Sequence, residues 1–330
     1  MQSELDSIMM HPKRNQRQLL GNLARMAVSL IALWFLFREV GGGGVLQALQ
    51  RADLRLLLLA WCIFLVGIVV RVFRWRALLH GLGLRPPFLR LLKLYLIGGF
   101  FNAFLPTGFG GDVVRVLELG RDADDSSAAL GTVLVDRLTG ILSLMALGLI
   151  VLPFAVGLAP WLRWLFVVVA VGGLTAGGLV LQGTLLRRLT VHLPGKLSLV
   201  GEGKLAQIYA AVVGTGSHAI WLALAYSTVF NLLNIGVHWL CARAVGIELA
   251  VPFYFVLVPL LSLTLLFPFS VGGLGARDWV AQMLLTPTAV PEASTAAWTL
   301  SVWAITAAAG LVGGVLYLWQ GISGLAKRAD

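Results

Sequence analysis

Two arginines, each preceded by a proline and a pair of adjacent glycines, are the residues of this chain best suited to bind an anion. The pattern P-x3-G-G-x3-R occurs twice, from Pro106 to Arg115 and from Pro268 to Arg277. The offset from 106 to 268, from 110 to 272 and from 115 to 277 is 162 residues each time, close to half of the 330 residues. A Pro/Gly break at matching points of two hydrophobic halves is typical of transporters built from internal repeats.

The chemistry of each string is that of phosphate binding at a helix N-terminus. Adjacent glycines allow a tight turn that exposes backbone N–H groups, and helices that begin at Asp112 and near Leu274 would direct their positive dipole ends at the break. An arginine one turn later adds a full charge and a fork of donors. The alternative is that the glycines serve close packing and the arginines extend to the membrane interface. The predicted substrate-binding residues of the strings are Gly110, Gly111, Arg115, Gly272, Gly273 and Arg277.

Acidic residues lie beside both arginines. Asp112 and Glu118 each lie three residues from Arg115, and Asp278 directly follows Arg277. Residues three apart share one face of a helix. These carboxylates are therefore predicted either to pair with the arginines or to couple transport to protons.

Other polar residues lie inside long apolar runs. Asp136 and Arg137 fall near the middle of such a run, where charges normally face the protein interior as part of a pathway or an ion pair. A second run carries polar residues at spacings of 4, 3 and 4, which places them on one stripe of a helix. The stripe comprises Ser227, Asn231, Asn234 and His238. Asn231, Asn234 and His238 join Asp136 and Arg137 as predicted substrate-binding residues, although such residues can also serve only as interhelical hydrogen bonds.

Composition excludes a soluble globule. Hydrophobic residues make up 58% of the chain and charged residues 12%, against about 25% charged residues in soluble domains. The net charge of +10 arises from basic residues at the ends of apolar runs, which indicates membrane topology and anionic lipid rather than nucleic acid. No cofactor or metal site is predicted, because His238 has no second ligand at a suitable spacing. The chain also lacks the P-loop, HExxH and GxSxG motifs.

The apolar runs predict an all-α polytopic membrane protein that forms a single domain over residues 1–330. Two shorter runs end at the Pro/Gly strings and are predicted to be broken or re-entrant segments, so that hydropathy counting would report seven or eight helices. The six predicted full spans are 22–40, 54–72, 126–152, 163–182, 217–246 and 294–320, and the two predicted re-entrant segments are 91–105 and 252–268.

Basic residues predict the orientation of the spans. The N-terminal tail, the segment after the second span, the segment after the fourth span and the C-terminus are all basic, which places all four in the cytoplasm. The basic residues after the second span are Arg71, Arg74, Arg76, Arg85, Arg90 and Lys93. Residues 1–152 and 153–330 then form an inverted repeat, with both termini inside and three spans plus one re-entrant segment in each half.

The chain resembles a known family at three places. These are Gly98 to Arg115, Val135-Asp136-Arg137-Leu138-Thr139-Gly140, and Pro268 to Asp278. Over essentially its whole length it is similar to the transmembrane domain of the lysylphosphatidylglycerol synthase/flippase family, the flippase-like or UPF0104 group. That resemblance implies movement of a lipid such as aminoacylated phosphatidylglycerol between leaflets. The C-terminal aminoacyl-transferase domain of the full-length members is not found in these 330 residues.

Three functions remain open from the sequence. The first is a flippase of the cytoplasmic membrane that moves an anionic or aminoacylated phospholipid, or a polyprenyl-linked lipid, without ATP. The second is a non-catalytic membrane partner of a separate lipid synthase or glycosyltransferase. The third is a membrane-embedded phosphatidylglycerol lysyltransferase, for which a tRNA-binding domain would be required. The predicted partners are membrane lipids with anionic headgroups and a possible lipid-modifying enzyme, and the chain could also form an oligomer.

Overall fold

Helices account for all the regular structure that the computed structural model describes. The described residues are 42–104, 109–123, 125–191, 198–199, 201, 203–264 and 275–329. In chain order the α-helices are α1 (Gly42–Gln50), α2 (Leu54–Gly81), α3 (Phe88–Phe104), α4 (Gly110–Ala123), α5 (Ser126–Val151), α6 (Pro160–Gln182), α7 (Thr184–Thr190), α8 (Lys204–Gly214), α9 (Ser217–Ala244), α10 (Val251–Leu263), α11 (Ala276–Leu285) and α12 (Glu292–Ala329). A short 3-10 helix, Leu152–Phe154, follows α5.

The helix starts follow from local sequence. The Asp53 carboxylate accepts a hydrogen bond from the backbone N–H of Arg55 at the start of α2. At the start of α5, Asp125 accepts from the N–H groups of Ser127 and Ala128. Proline occupies the first turn of α6 and of α10, where its missing N–H costs nothing. Acidic caps and N-terminal prolines therefore fix where four of the helices begin.

Five of the described helices are long and apolar enough to cross a membrane. They are Leu54–Gly81, Ser126–Phe154, Pro160–Gln182, Ser217–Ala244 and Glu292–Trp319. They correspond to five of the six predicted spans, and the predicted span 22–40 lies outside the described residues. The multi-pass, all-helical class is thereby confirmed. The second span was predicted too short, because the helix continues nine residues beyond position 72 to Gly81.

The described residues of the two predicted re-entrant segments form helices shorter than a membrane span. α3 has 17 residues and α10 has 13, which corresponds to about 26 and 20 Å at 1.5 Å per residue. A hydrocarbon core is about 30 Å thick. The last four residues of the predicted segment 252–268 lie outside the described part of the chain, as do Pro106, Gly272 and Gly273.

α2 and α9 form the most extensive helix pair, and they run antiparallel. At one end, the N–H of Asp53 donates to the carbonyl of Ala244 at 2.9 Å. At the other end, Gly81 lies against the carbonyl of Thr215, with no room for a Cβ atom. α3 packs along α12, and α5 contacts α4, α8, α9 and α10. The polar residues of α2, α3, α5 and α9 are therefore brought to the centre of the helix assembly.

Many large apolar side chains of the described helices are exposed. On α6, Trp161 and Trp164 are exposed at the beginning of the helix, and Val168 is exposed further along. Tryptophan is enriched where a helix passes from headgroups into hydrocarbon. An exposed apolar exterior around a polar centre is the pattern expected when lipid is the solvent.

Candidate functional site

A central cavity of about 350 Å³ collects most of the predicted site residues. Its charged lining residues in the described part of the chain are Arg71, Arg74, Asp112, Arg115, Asp136, Arg137 and Arg277. Its uncharged polar side chains include Asn102, Asn231, Asn234, His238, Ser262 and Thr306. Residues from α2, α3, α4, α5, α9, α10, α11 and α12 therefore face one polar space within the bundle.

Asp136 is the centre of the charged network. Arg74 Nε donates to its Oδ1 at 2.7 Å, while the Tyr95 hydroxyl and Arg115 Nη2 donate to its Oδ2 at 2.6 and 3.1 Å. Residue Asp136 is 1% exposed. Two guanidinium groups and one hydroxyl thus satisfy a buried charge that would otherwise be costly at this depth.

Asp112 forms a second, linked ion pair. Its Oδ1 accepts from Arg115 Nη1 at 3.2 Å, and its Oδ2 accepts from Arg137 Nε. Arg115 therefore bridges Asp112 and Asp136 with its two terminal nitrogens. Adjacent residues on α5 consequently have different partners, because Asp136 binds Arg74 and Arg115 whereas Arg137 binds Asp112.

Aromatic rings hold the Arg115 guanidinium in place. Its central carbon lies 4.1 Å from the centroid of the Trp75 ring and 3.9 Å from that of Tyr95. The Trp75 indole N–H donates to the Thr132 hydroxyl at 3.3 Å. Stacking on aromatic faces stabilises a cation, and the bond to Thr132 fixes one of the two faces. The Arg115 side chain is therefore held in a defined position.

Arg71 and Arg74 are cavity residues that were predicted to lie among the cytoplasmic basic residues after the second span. The structure places both on α2 and in the cavity wall. Arg74 is 5% exposed and also donates to the Ser227 hydroxyl at 3.1 Å. Arg71 and Arg74 are three residues apart within an apolar stretch, which places them on the same face of a helix. This spacing could have predicted that both arginines face the protein interior.

The predicted polar stripe of α9 faces the cavity. Ser227 accepts from Arg74, and the Asn231 side-chain amide donates to the carbonyl of Gly140 at 2.9 Å. Asn234 and His238 line the cavity one and two turns further along. The Nδ1 atom of His238 is buried without a hydrogen-bond partner in the described structure.

The first Gly-Gly pair makes a close helix contact. A Cβ atom on Gly111 would collide with the carbonyl oxygen of Gly98 on α3. The N–H of Gly111 donates to Asn102 Oδ1 at 2.8 Å. Gly110 and Gly111 are buried as the first residues of α4, which starts two residues earlier than predicted. The described geometry thus gives Gly111 the packing role, and its N–H is already bonded within the protein.

The second string is described from Gly275 onward. Arg277 is buried and lines the cavity. The N–H of Gly275 donates to Asp278 Oδ2 at 2.7 Å, so Asp278 closes the N-terminus of α11. Arg277 lies in the first turn of this capped helix and lines the cavity that Arg115 reaches from α4.

Glu118 lies apart from the cavity. It accepts from Arg90 Nη2 at 3.0 Å and lies 3.6 Å from Arg121 Nη1. Both pairs are partly exposed, and Arg115 pairs with the two aspartates instead. Glu118 is therefore a local surface partner of two other arginines.

The cavity has an excess of positive charge. Its described lining contains five arginines and two aspartates, a formal charge of +3. Among the described residues no three His, Cys, Asp or Glu side chains are grouped closely enough for a metal. The arrangement can therefore attract and orient an anion through guanidinium groups.

Comparison with known proteins agrees with this architecture. The family described as lysylphosphatidylglycerol synthase TM region matches residues 22–314. The chain belongs to this family. It is also similar to the UPF0104 membrane protein PH1989 of Pyrococcus horikoshii, with 27% identity over 116 residues. That match covers 34% of this chain and 33% of the relative. The family resemblance stated from the sequence is thus confirmed.

Proposed function

We propose that this protein moves a phosphate-bearing lipid between membrane leaflets, taking its headgroup through the arginine-lined cavity. The substrate class is an anionic or aminoacylated phospholipid or a polyprenyl-linked lipid, and the membrane is the cytoplasmic one. The observation that supports the proposal is the position of five arginines around one cavity among spanning helices. Buried charges at membrane depth ordinarily mark a substrate or ion pathway.

The contacts of Arg115 suggest how a phosphate would be held. Its guanidinium is fixed by two aromatic rings and reaches two carboxylates. A phosphate oxygen can take the place of a carboxylate oxygen at such a fork. Arg277, from the other half of the chain, lines the same cavity. In this proposal both arginines bind the phosphate while the tails remain in hydrocarbon.

The order of the helices supports alternating exposure of this site. A long helix, two short helices and a long helix occur as α2–α5 and again as α9–α12. α2 and α9 run antiparallel, as the first elements of an inverted repeat should. The contacts between halves also correspond, since α3 packs on α12 and α10 packs on α5. Rocking of one half against the other would open the cavity to each leaflet in turn.

Reconstitution into liposomes tests the proposal. Fluorescent phosphatidylglycerol would be placed in both leaflets, and the loss of protection from an external quencher would be followed with time. We expect transbilayer movement with the wild-type protein, and at least a tenfold lower rate with the double variant Arg115→Ala/Arg277→Ala.

The matched control is Arg90→Ala/Arg121→Ala. It makes the same chemical change at two arginines that pair with Glu118 outside the cavity, and we expect its rate to match the wild type. All variants would be compared as monodisperse protein at equal density in the vesicles. Equal rates for the wild type and the Arg115/Arg277 variant, or no movement above protein-free vesicles, would refute the proposal. Formation of a new lipid from a supplied donor would indicate an enzyme instead.

A further inference from the structure

We infer that a groove between α2 and α9 binds an anionic phospholipid of the surrounding membrane, at a site separate from the central cavity. The inference goes beyond the proposed function and does not rest on it. The groove has a volume of about 870 Å³ and is lined by α2, by α9 and by the two residues that precede α9. All of its lining residues belong to the described part of the chain.

The groove lies on a different face of α2 from the central cavity. Its lining includes Phe73, Arg76 and His80, which recur at intervals of three and four residues and therefore share one face of the helix. Arg71 and Arg74 line the central cavity instead. Arg76 lies two residues beyond Arg74, which at 3.6 residues per turn places it roughly 160° around the helix. The two sites are therefore separated by α2 itself.

The end of the groove at the C-terminus of α2 is basic. His80 lies in the last turn of α2, Arg76 lies one turn before it, and His218 lies in the first turn of α9. The groove lining contains no aspartate or glutamate. The Nε atom of Arg76 is buried without a hydrogen-bond partner in the described structure. Guanidinium and imidazole N–H groups can donate to phosphate oxygens, so an anion could bind here without displacing a carboxylate.

The other end of the groove is apolar. The rings of Phe73 and Tyr226 stack there with their centroids 6.1 Å apart, and Leu222 lies one turn from Tyr226 on α9. Phe73 and Leu222 are 38% and 39% exposed, and both belong to helices that are long and apolar enough to cross a membrane. At 1.5 Å per residue, Phe73 lies about 10 Å along α2 from His80. The apolar end is therefore deeper in the membrane than the basic end.

This order of groups fits a phospholipid. The basic end lies on the same side of the molecule as Arg85, Arg90 and Lys93, which is the side predicted to be cytoplasmic. Anionic lipids of the cytoplasmic leaflet attract basic residues at the ends of membrane spans. A lipid phosphate bound at Arg76 would leave its acyl chains to lie along Leu222 and the two stacked rings. A soluble anion would use the basic end alone, so the apolar end favours a lipid.

Photocrosslinking in vesicles tests the inference. Photoactivatable phosphatidylglycerol, with its reactive group close to the headgroup, would be added in a trace amount to phosphatidylcholine vesicles that contain the protein. Mass spectrometry would then identify the crosslinked peptides. We expect crosslinks in the two groove segments, 73–81 and 215–226, at about five times the yield obtained with photoactivatable phosphatidylcholine or more. Absence of crosslinks from both segments, or equal yields with the two lipids, would overturn the inference.

Substitutions in the groove test its basic residues. We expect Arg76→Gln/His218→Gln to lower the yield of phosphatidylglycerol crosslinks in these segments about fivefold or more, whereas Arg76→Lys, which keeps the charge, should retain at least half of the yield. The matched control is Arg90→Gln/Arg121→Gln, which removes two positive charges that pair with Glu118 outside the groove, and its yield should equal that of the wild type. An unchanged yield with Arg76→Gln/His218→Gln, or an equal loss with the control, would overturn the inference.

A further variant separates the groove from the central cavity. Arg115→Ala/Arg277→Ala should slow lipid movement under the proposed function, but we expect it to leave crosslinking in the groove at the wild-type yield. Loss of groove crosslinks in this variant would show that the lipid belongs to the central pathway, and it would overturn the inference. Wild-type protein that forms the groove crosslinks but moves no lipid would refute the proposed function alone.

Discussion

Arg74 and Asp136 are joined by a 2.7 Å ion pair across 62 positions of sequence. Both side chains are almost fully buried, so the pair fixes α2 against α5 inside the bundle. Removal of one partner from a buried pair leaves an uncompensated charge, which typically costs about 3–5 kcal/mol. The stability of the helix assembly should therefore depend on Asp136 far more than on any exposed acidic residue.

The first prediction compares two acidic residues. We expect Asp136→Asn to lower the free energy of unfolding in detergent by about 3–5 kcal/mol, because Arg74 and Arg115 both lose their shared partner. Glu118→Gln should change it by about 1 kcal/mol or less, since its pairs with Arg90 and Arg121 are partly exposed. Thermal unfolding of both variants measures the difference. Equal effects would show that the Asp136 network does not stabilise the fold.

The second prediction compares two buried tyrosine hydroxyls. The Tyr95 hydroxyl donates to Asp136 at 2.6 Å, whereas the Tyr254 hydroxyl is buried without a partner in the described structure. A hydrogen bond to a charged group is worth about 1.5–3 kcal/mol. We expect Tyr95→Phe to destabilise the protein by that amount and Tyr254→Phe to leave stability unchanged or slightly raised. Destabilisation by Tyr254→Phe equal to that of Tyr95→Phe would contradict the assignment.

The third prediction concerns the contact of α3 with α4. Gly111→Ala should destabilise the protein by about 1–3 kcal/mol, because the added methyl group meets the Gly98 carbonyl and overpacking costs that much. Gly178 is the control, since a Cβ atom there meets nothing within 4 Å. Gly178→Ala on α6 should stabilise the helix by about 0.5–1 kcal/mol. Chemical denaturation gives the sign for each variant, and a neutral Gly111→Ala would show that the helices can separate.

The fourth prediction tests the proposed inverted topology. Arg85 follows α2 and Glu248 follows α9, both exposed and at equivalent points of the two halves. Single cysteines at these positions, in a Cys62→Ser/Cys241→Ala background, should react with an impermeant maleimide from opposite sides of the membrane. Ser217→Cys should react from the same side as Arg85→Cys, because Thr215 lies against Gly81 at the end of α2. Labelling of Arg85→Cys and Glu248→Cys from one side would exclude the inverted repeat.

Sequence patterns predicted most of the residues that line the polar cavity, but not the arginines that α2 contributes. The duplicated arginines, Asp136 and the α9 stripe stood out because polar residues are costly within apolar runs. Arg74 did not stand out, because it lies near the end of its run, where basic residues usually mark the cytoplasmic side. Only the packing of α2 on α5 shows that this arginine turns inward to a carboxylate.

The glycines illustrate a different limit of sequence patterns. Two adjacent glycines can equally provide a turn, an exposed N–H or room for another backbone. For Gly111 the deciding facts are its contact with Gly98 and its hydrogen bond to Asn102, both of which come from another helix. Tertiary contacts of this kind cannot be predicted from the local sequence pattern. The positions of the spans depend on composition alone and were largely predicted.

The position of Asp136 between Arg74 and Arg115 has a consequence for affinity. The Asp136 carboxylate competes with any incoming phosphate for the two guanidinium groups. Because the carboxylate is part of the chain, its effective concentration stays the same when the lipid is dilute. The guanidinium groups of Arg74 and Arg115 are already held by the Asp136 carboxylate, so little entropy should be lost when they bind a phosphate. Part of each phosphate contact would be offset by the contact that it replaces. If the proposed function holds, the lipid would therefore be held weakly enough to be released, because Asp136 takes the place of the departing phosphate.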